Sequence, residues 1–300
     1  MTASSPARGL IALLRLPYWM MTGGLAVLTA FAILKGNFAD ISTTLGNLNV
    51  AVVALLAFFS MSFIASGGFA INDYYDRRSD AIIKPKRPIP SGALSYKTAA
   101  IISGVFFALG LALSFLINWL SFAIIAVDSL LLLVYSYLIK RKSGFAANLL
   151  MGILTGTAFL FGEAVVTGSV SFISLSLYPI AFGTIGGNIL RDIFSVEGDA
   201  KVGYPTLPQK IGNISAAKVG GLFFLLTGIL APLPYFLGEF TVYYLPLILV
   251  WSALLIYSAI RLFTSAKTVV SIRKYERIVT MSMMLLIFAL IIEAVLGVLL

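Results

Sequence analysis

Between residues 72 and 80 the chain reads Asn72-Asp73-Tyr74-Tyr75-Asp76-Arg77-Arg78-Ser79-Asp80. Asn72, Asp76 and Asp80 are four apart, so a helix running through them stacks all three on one face. Two carboxylates and an amide in a row suit a hard cation such as Mg²⁺, which usually sits on one or two carboxylates plus a substrate phosphate. The next stretch, Lys84-Pro85-Lys86-Arg87-Pro88-Ile89-Pro90, sets cations beside those anions, as phosphate binding requires. The bland reading is a solvated charge cluster at the edge of a membrane helix. The four-residue spacing and the adjacent Lys-Arg run favour a metal–phosphate site instead.

A second polar stretch, residues 191–208, contains Asp192, Ser195, Glu197, Asp199 and Lys201. At about 100° per residue, Asp192 and Asp199 fall within about 20° of each other, with Ser195 about 60° from Asp192. Asp192 and Asp199 are therefore the metal-facing candidates, and Glu197 points away. Gly198 is expected to weaken the helix here.

Both stretches need elements to hold them. The 300 residues are 60% hydrophobic and 11% charged, whereas an ordinary globular chain carries roughly 25% charged residues. Apolar runs occur at about 17–34, 50–71, 98–117, 119–139, 145–166, 172–190, 216–237, 242–262 and 278–300. Each approaches the length of about 20 residues that a spanning helix needs. The expectation is an all-α integral membrane protein, one domain over residues 1–300. Its nine transmembrane helices bundle around a central cavity, with a cytoplasmic cap from the connections between helices two and three and between six and seven. The two polar stretches also resemble each other: Ser79-Asp80-Ala81 and Gly198-Asp199-Ala200 both precede a cation and a later Pro and Gly. They stand four helices apart, which suggests a four-helix repeat (17–139 and 145–262) followed by a ninth helix.

The chain has no cysteine and no histidine. Thiolate catalysis, Fe–S ligation, disulfides and imidazole chemistry are excluded, so any metal is held by oxygen. Arg8 and Arg15 ahead of a continuing membrane protein do not read as a cleaved signal peptide. Twenty-one Lys and Arg against twelve Asp and Glu give a net charge of +9. All the cations except Lys35 fall on one side of the nine runs. That side is expected to be cytoplasmic, with the N-terminus, and the C-terminus lies outside. The basic excess thus serves topology and anionic partners at the inner leaflet, including membrane lipids; nucleic acid drops out.

A few polar groups lie at membrane depth. Asp128, in the middle of the fourth run, either lines a substrate cavity or makes an interhelical hydrogen bond. Tyr135, Ser136 and Lys140 follow near the same face. Glu163 and Glu293 sit near outer ends, where snorkelling is easy, and are expected to be structural. Gly23, Gly24, Gly152, Gly156, Gly186 and Gly187 are expected to permit close helix packing.

Taken together, Asn72-Asp73-x-x-Asp76-x-x-x-Asp80, Arg87-Pro88-Ile89-Pro90-Ser91-Gly92, Tyr135-Ser136-x-x-x-Lys140 and Glu197-Gly198-Asp199-x-Lys201-x-Gly203 resemble the UbiA superfamily of intramembrane prenyltransferases. The resemblance covers nearly the whole chain. It implies two aspartate-rich motifs that hold Mg²⁺, two ions by expectation, and an isoprenyl diphosphate under a cytoplasmic cap. By it, Asn72, Asp76, Asp80, Asp192 and Asp199 hold metal. Asp76, Asp80, Asp199, Lys140 and Tyr135 are the catalytic candidates. Arg15, Asn72, Arg77, Lys86, Arg87, Asp128 and Lys201 are the substrate-binding candidates. One departure stands out: the family's second motif places an aspartate where this chain has Ser195, so Asp192, one turn earlier, is the candidate replacement.

The stretch 152–162 looks most like the family's archaeal ether-lipid branch. The expected reaction is Mg²⁺-dependent transfer of a geranylgeranyl group to geranylgeranylglyceryl phosphate, the alternative acceptor being an aromatic acid such as 4-hydroxybenzoate. Soluble isoprenyl synthases lack the nine spans, and CDP-alcohol transferases need an Asp-Gly…Ala-Arg run that is absent. A secondary transporter is the reading from another class, favoured by Asp128 alone and opposed by aspartates clustered at one membrane face.

Overall fold

The fold was analysed in a computed structural model that describes residues 6–36 and 39–296. Among these, nine helical segments are long and apolar enough to cross a membrane. In chain order the elements are α1 (Pro6–Leu14), α2 (Pro17–Leu34), β1 (Ile41–Thr43), β2 (Gly46–Leu48), α3 (Val50–Ile83), α4 (Tyr96–Ile117), α5 (Trp119–Val134), α6 (Lys140–Lys142), α7 (Gly144–Thr167), α8 (Phe172–Leu177), α9 (Phe182–Lys201), α10 (Leu207–Ile211), α11 (Asn213–Leu230), α12 (Leu233–Phe236), α13 (Leu245–Thr264) and α14 (Val269–Leu296). A π turn, Tyr135–Ile139, joins α5 to α6, and a 3₁₀ turn, Tyr178–Ala181, joins α8 to α9.

Short polar residues start the helices. Asn49, Ser95, Asn118 and Ser143 each accept a backbone N–H of the first turn of α3, α4, α5 and α7. Such side chains replace the partners that the first turn lacks. Proline occupies the first position of α2, where its missing N–H costs nothing.

Two large apolar clusters and a small one around Leu13, Ala70 and Ala99 hold the helices. Val53, Phe107, Ile125 and Phe161 bring α3, α4, α5 and α7 together. Phe224, Trp251, Leu255 and Leu290 do the same for α11, α13 and α14, with Ile189 of α9. The helices approach closely where glycine leaves room. A Cβ on Gly23 would lie 2.4 Å from the Phe58 carbonyl oxygen, and one on Gly186 would lie 2.7 Å from that of Gly220. These contacts bring α2 onto α3 and α9 onto α11. Gly24 and Gly187 differ from expectation, because each faces only a side chain of its own helix, Met20 and Arg191.

Other departures have clear physical causes. α3 continues twelve residues past the apolar run, to Ile83, so the acidic motif is fully helical. α9 likewise runs through Gly198 to Lys201; Ile83 packs against Gly198 and offsets its low propensity. The short helix α1 and the β1–β2 hairpin, paired Ile41 to Leu48, have no counterpart among the nine apolar runs. Positions 297–300, at the end of the ninth run, fall outside the described residues. Glu163 and Glu293 do not snorkel: they are 1% and 0% exposed. Glu163 accepts the backbone N–H groups of Ser171 and Ser174 at the start of α8. Glu293 accepts the N–H and hydroxyl of Thr241. Both are structural, as expected, but as buried acceptors.

Candidate active site

Because α3 stays helical to Ile83, its last turns present Asn72, Asp73, Asp76 and Asp80 on one inward face. The three aspartates are 3%, 2% and 4% exposed. Carboxylates buried this deeply need partners, and each has a cation. Arg87 donates to Asp80 Oδ2 at 2.6 Å and to Asp73 Oδ1 at 3.0 Å. Arg15 donates to Asp73 Oδ1 at 2.8 Å. Lys140 donates to Asp76 Oδ2, which also accepts from Asn72 Nδ2 at 3.0 Å. Three cations thus face three carboxylates, and their charges balance.

Each cation is aimed by its own local structure. Arg15 sits in the elbow between α1 and α2 with φ of +50°, a left-handed conformation costly for a side-chain-bearing residue. Its guanidinium lies 4.4 Å over the Phe69 ring, and the stacking and the Asp73 pair offset that strain. Lys140 follows the π turn, where the extra residue in the coil re-aims whatever comes next. Arg87 lies in the turn after α3, and its Lys84 carbonyl contact starts that turn. Burial opposes the Arg87 charge, yet Asp73 and Asp80 outweigh it and raise its pKa above the ordinary arginine value.

The second motif faces the first across the end of the bundle. Ser195 Oγ donates to Asp199 Oδ2 at 2.6 Å. Asn148 of α7 donates to Asp192 Oδ2 at 2.8 Å. Tyr135 lies within electrostatic reach of Lys140, Asp76, Asp192 and Arg15, between the two motifs. Lys84 interacts with both Asp80 and Asp199; partial burial first, and then the Arg87 charge, lower its pKa from the ordinary lysine value. The connection after α9 reaches back as well. Tyr204 donates its hydroxyl to Asp76 Oδ1 at 2.6 Å and stands 3.0 Å from Ser79 Oγ. Burial, and then that bond to Asp76, raise the Tyr204 pKa.

Of the residues singled out from sequence, Arg15, Asn72, Asp76, Asp80, Arg87 and Lys140 come together, with Tyr135 beside them. Asp192 and Asp199 lie across from them. Lys86 and Lys201 are exposed and make no hydrogen bond or ion pair among the described residues. Arg77 turns away from the acids, donating to the Tyr74 carbonyl at 2.7 Å. Asp128 is 2% exposed and accepts from Thr157 of α7 at 2.7 Å, while its Oδ1 is buried without a partner. Sequence reasoning missed Asp73, Asn148 and Tyr204. Asp73 had a signal, since it follows Asn72 on the same helical face. Tyr204 had none, lying 128 positions from Asp76.

The donor set fits a hard cation. Asn72 uses its amide N–H on Asp76 and leaves Oδ1 buried with no partner. An orphaned oxygen beside two carboxylates is what a divalent cation with oxygen ligands needs. Among the described residues, no three carboxylates form a cation site by themselves. Cations of the chain stand between the acids instead.

Comparison with known proteins identifies the family. The model of the UbiA prenyltransferase family matches residues 24–286. The digeranylgeranylglyceryl phosphate synthase of Natronomonas pharaonis is 36% identical over 239 residues, 79% of this chain and 81% of that one. The synthase of the same name from Methanosarcina barkeri is 36% identical over 251 residues, 82% and 86% of the two chains. A solved structure of a digeranylgeranylglyceryl phosphate synthase superposes with a TM-score of 0.77 at 28% identity, covering 98% of this chain and 99% of that one. A UbiA homolog from Archaeoglobus fulgidus, bound to GPP and Mg²⁺, superposes with a TM-score of 0.64 at 22% identity over 94% and 99%. The chain belongs to the UbiA prenyltransferase family.

Proposed function

We propose that this protein transfers a geranylgeranyl group from its diphosphate to the free hydroxyl of geranylgeranylglyceryl phosphate, as an archaeal ether-lipid synthase. The observation that carries the transfer chemistry is the neutral ring of Arg15, Arg87 and Lys140 around Asp73, Asp76 and Asp80 at the polar end of the bundle. The acceptor rests on the synthase names of the relatives, which cover four fifths of this chain. The polar end is cytoplasmic in this reading, because all the cations but Lys35 gather there.

Asn72, Asp76, Asp80 and Asp199, with Asp192, would hold two Mg²⁺ ions. Bound there, Mg²⁺ supplies Lewis-acid neutralisation of the charge that grows on the leaving diphosphate. The chain's own cations act on the same oxygens. Arg87 and Lys140 leave their carboxylates for the diphosphate, so positive charge is already in place as the allylic C–O bond breaks. Tyr135 and Lys84, between the two motifs, border the leaving group. The isoprenoid tail lies among the apolar helices, which keep water from the cationic carbon. The acceptor hydroxyl then attacks C1. Its proton passes to a carboxylate or to the released diphosphate, since the chain has no histidine to take it.

The test presents labelled geranylgeranyl diphosphate with geranylgeranylglyceryl phosphate and 4-hydroxybenzoate side by side. Label in the doubly prenylated lipid supports the proposal. Transfer to 4-hydroxybenzoate alone overturns the acceptor and leaves the family standing.

A further inference from the structure

On the other side of α3 from the acids lies a cleft of about 630 Å³. Arg77, Arg78 and Arg141 line it, with Tyr74, Ser79 and Tyr204. Arg78 is about 160° around the helix from Asp76, so the cleft and the acid cluster occupy opposite faces of one element. They share a wall, because Tyr204 touches both Ser79 and Asp76.

The three arginines differ from those of the acid cluster in having no carboxylate partner among the described residues. Backbone and aromatic rings hold two of them. Arg77 donates to the Tyr74 carbonyl and stacks 4.8 Å from the Tyr74 ring and 5.3 Å from the Tyr96 ring. Arg141 donates to the Tyr75 carbonyl at 3.2 Å and stands 5.6 Å from the Tyr75 ring. Arg78 is exposed and makes no hydrogen bond or ion pair among the described residues. Two guanidinium planes are therefore fixed while most of their N–H groups remain unused. That fork geometry matches phosphate oxygens.

The rim narrows the ligand class. Ile82, Tyr96 and Tyr137 around it are 63%, 43% and 60% exposed. Exposed tyrosines and an exposed aliphatic beside arginines mark the membrane–water boundary, where basic pockets between helices bind phospholipid head groups. Three cations match the dianion of a phosphate monoester better than the single charge of a diester.

We propose that this cleft docks the phosphomonoester head group of a membrane lipid, and that the acceptor presents its phosphate there. The second clause rests on the acceptor assigned under Proposed function; the first does not. Docking there sets the acceptor's phosphate against the Tyr204–Ser79 wall, next to Asp76, and apart from the diphosphate bound on the acid face.

The test uses the full chain in phosphatidylcholine nanodiscs, with phosphatidic acid as the phosphomonoester probe, and compares the wild type with the Arg78→Gln/Arg141→Gln double variant. Lipid adducts are counted by native mass spectrometry, and helical circular dichroism checks the fold. The wild type is expected to retain phosphatidic acid over phosphatidylcholine, and the double variant to lose about ten-fold in that preference. Equal retention by the two proteins overturns the cleft. Kinetics separates the sources. A KM for geranylgeranylglyceryl phosphate that rises about ten-fold, with kcat and the diphosphate KM unchanged, assigns the acceptor to the cleft. Lost phosphatidic acid binding with an unchanged acceptor KM leaves a bulk lipid as occupant and overturns the second clause alone. A wild type that binds phosphatidic acid through these arginines but makes no lipid product refutes the acceptor reading and keeps the cleft.

Discussion

Tyr204 and Asp76 stand 128 positions apart in sequence and share a hydrogen bond of 2.6 Å between the phenol and Oδ1. The other oxygen of Asp76 is held by Lys140 and Asn72. A carboxylate with donors on both oxygens has one orientation, and Tyr204 carries that constraint from the connection that follows the second motif. Its ring also lies 4.9 Å from the Lys140 ammonium. Tyr204 therefore ties the two halves of the site together.

Tyr204→Phe keeps the ring and removes the hydroxyl. A hydrogen bond to a charged group contributes about 1.5 kcal/mol or more, which corresponds to roughly ten-fold in rate. The expected result is a kcat/KM about ten-fold lower, with unchanged helical circular dichroism. Wild-type kinetics in the variant would remove Tyr204 from the account.

Asp73 holds two arginines through one oxygen, Oδ1. Asp73→Asn leaves Arg15 and Arg87 short of a counter-charge in a partly buried site, where breaking such a pair costs about 3 kcal/mol. Thermal unfolding in detergent is expected to shift to lower temperature, more than for the exposed Lys86→Gln. An unshifted midpoint would mean that the Arg15 elbow is held by Phe69 stacking alone.

The second motif makes a sharper test, since Ser195 stands where the family carries an aspartate. Asp199→Ala is expected to abolish turnover. If Asp192 replaces the missing carboxylate, Asp192→Ala falls nearly as far, and Asn148→Ala, which frees the Asp192 side chain, loses about 10- to 100-fold. Retained activity in Asp192→Ala would place the second cation on Asp199 and water.

Lys84 gives a pH dependence. Its pKa is lowered in the free protein, by partial burial and then by Arg87. A diphosphate bound beside it favours the ammonium and raises that pKa again. The complex therefore holds more protons than the free protein at alkaline pH, and binding takes up protons there. Calorimetry of geranylgeranyl diphosphate binding in buffers of different ionisation enthalpy is expected to show uptake that Lys84→Met removes. Release instead of uptake would contradict a phosphate contact at Lys84.

Much of this was legible in the sequence because membrane helices are written plainly. Apolar length gave nine spans, and the four-residue spacing of Asn72, Asp76 and Asp80 gave a helical face that the structure keeps. What stayed hidden depends on distance or on geometry without a period. The Tyr204–Asp76 bond joins residues with no spacing rule between them. The π turn at Tyr135–Ile139 leaves no mark in hydropathy, yet it precedes the lysine that meets Asp76. Arg77, a substrate-binding candidate by sequence, adjoins Asp76 yet does not join the acids. One step along a helix is about 100° of rotation, and the aromatic faces of Tyr74 and Tyr96 hold it on the other side.

The central claim is that the Asp76 cluster breaks an allylic diphosphate and passes its prenyl group to a lipid hydroxyl. The most direct measurement follows diphosphate release and labelled lipid together, using purified wild type and Asp76→Asn with Mg²⁺, geranylgeranyl diphosphate and geranylgeranylglyceryl phosphate. The account predicts equimolar diphosphate and doubly prenylated lipid from the wild type, and neither from a folded Asp76→Asn. No diphosphate from the wild type with any lipid or aromatic acceptor, or undiminished release by the variant, would contradict it.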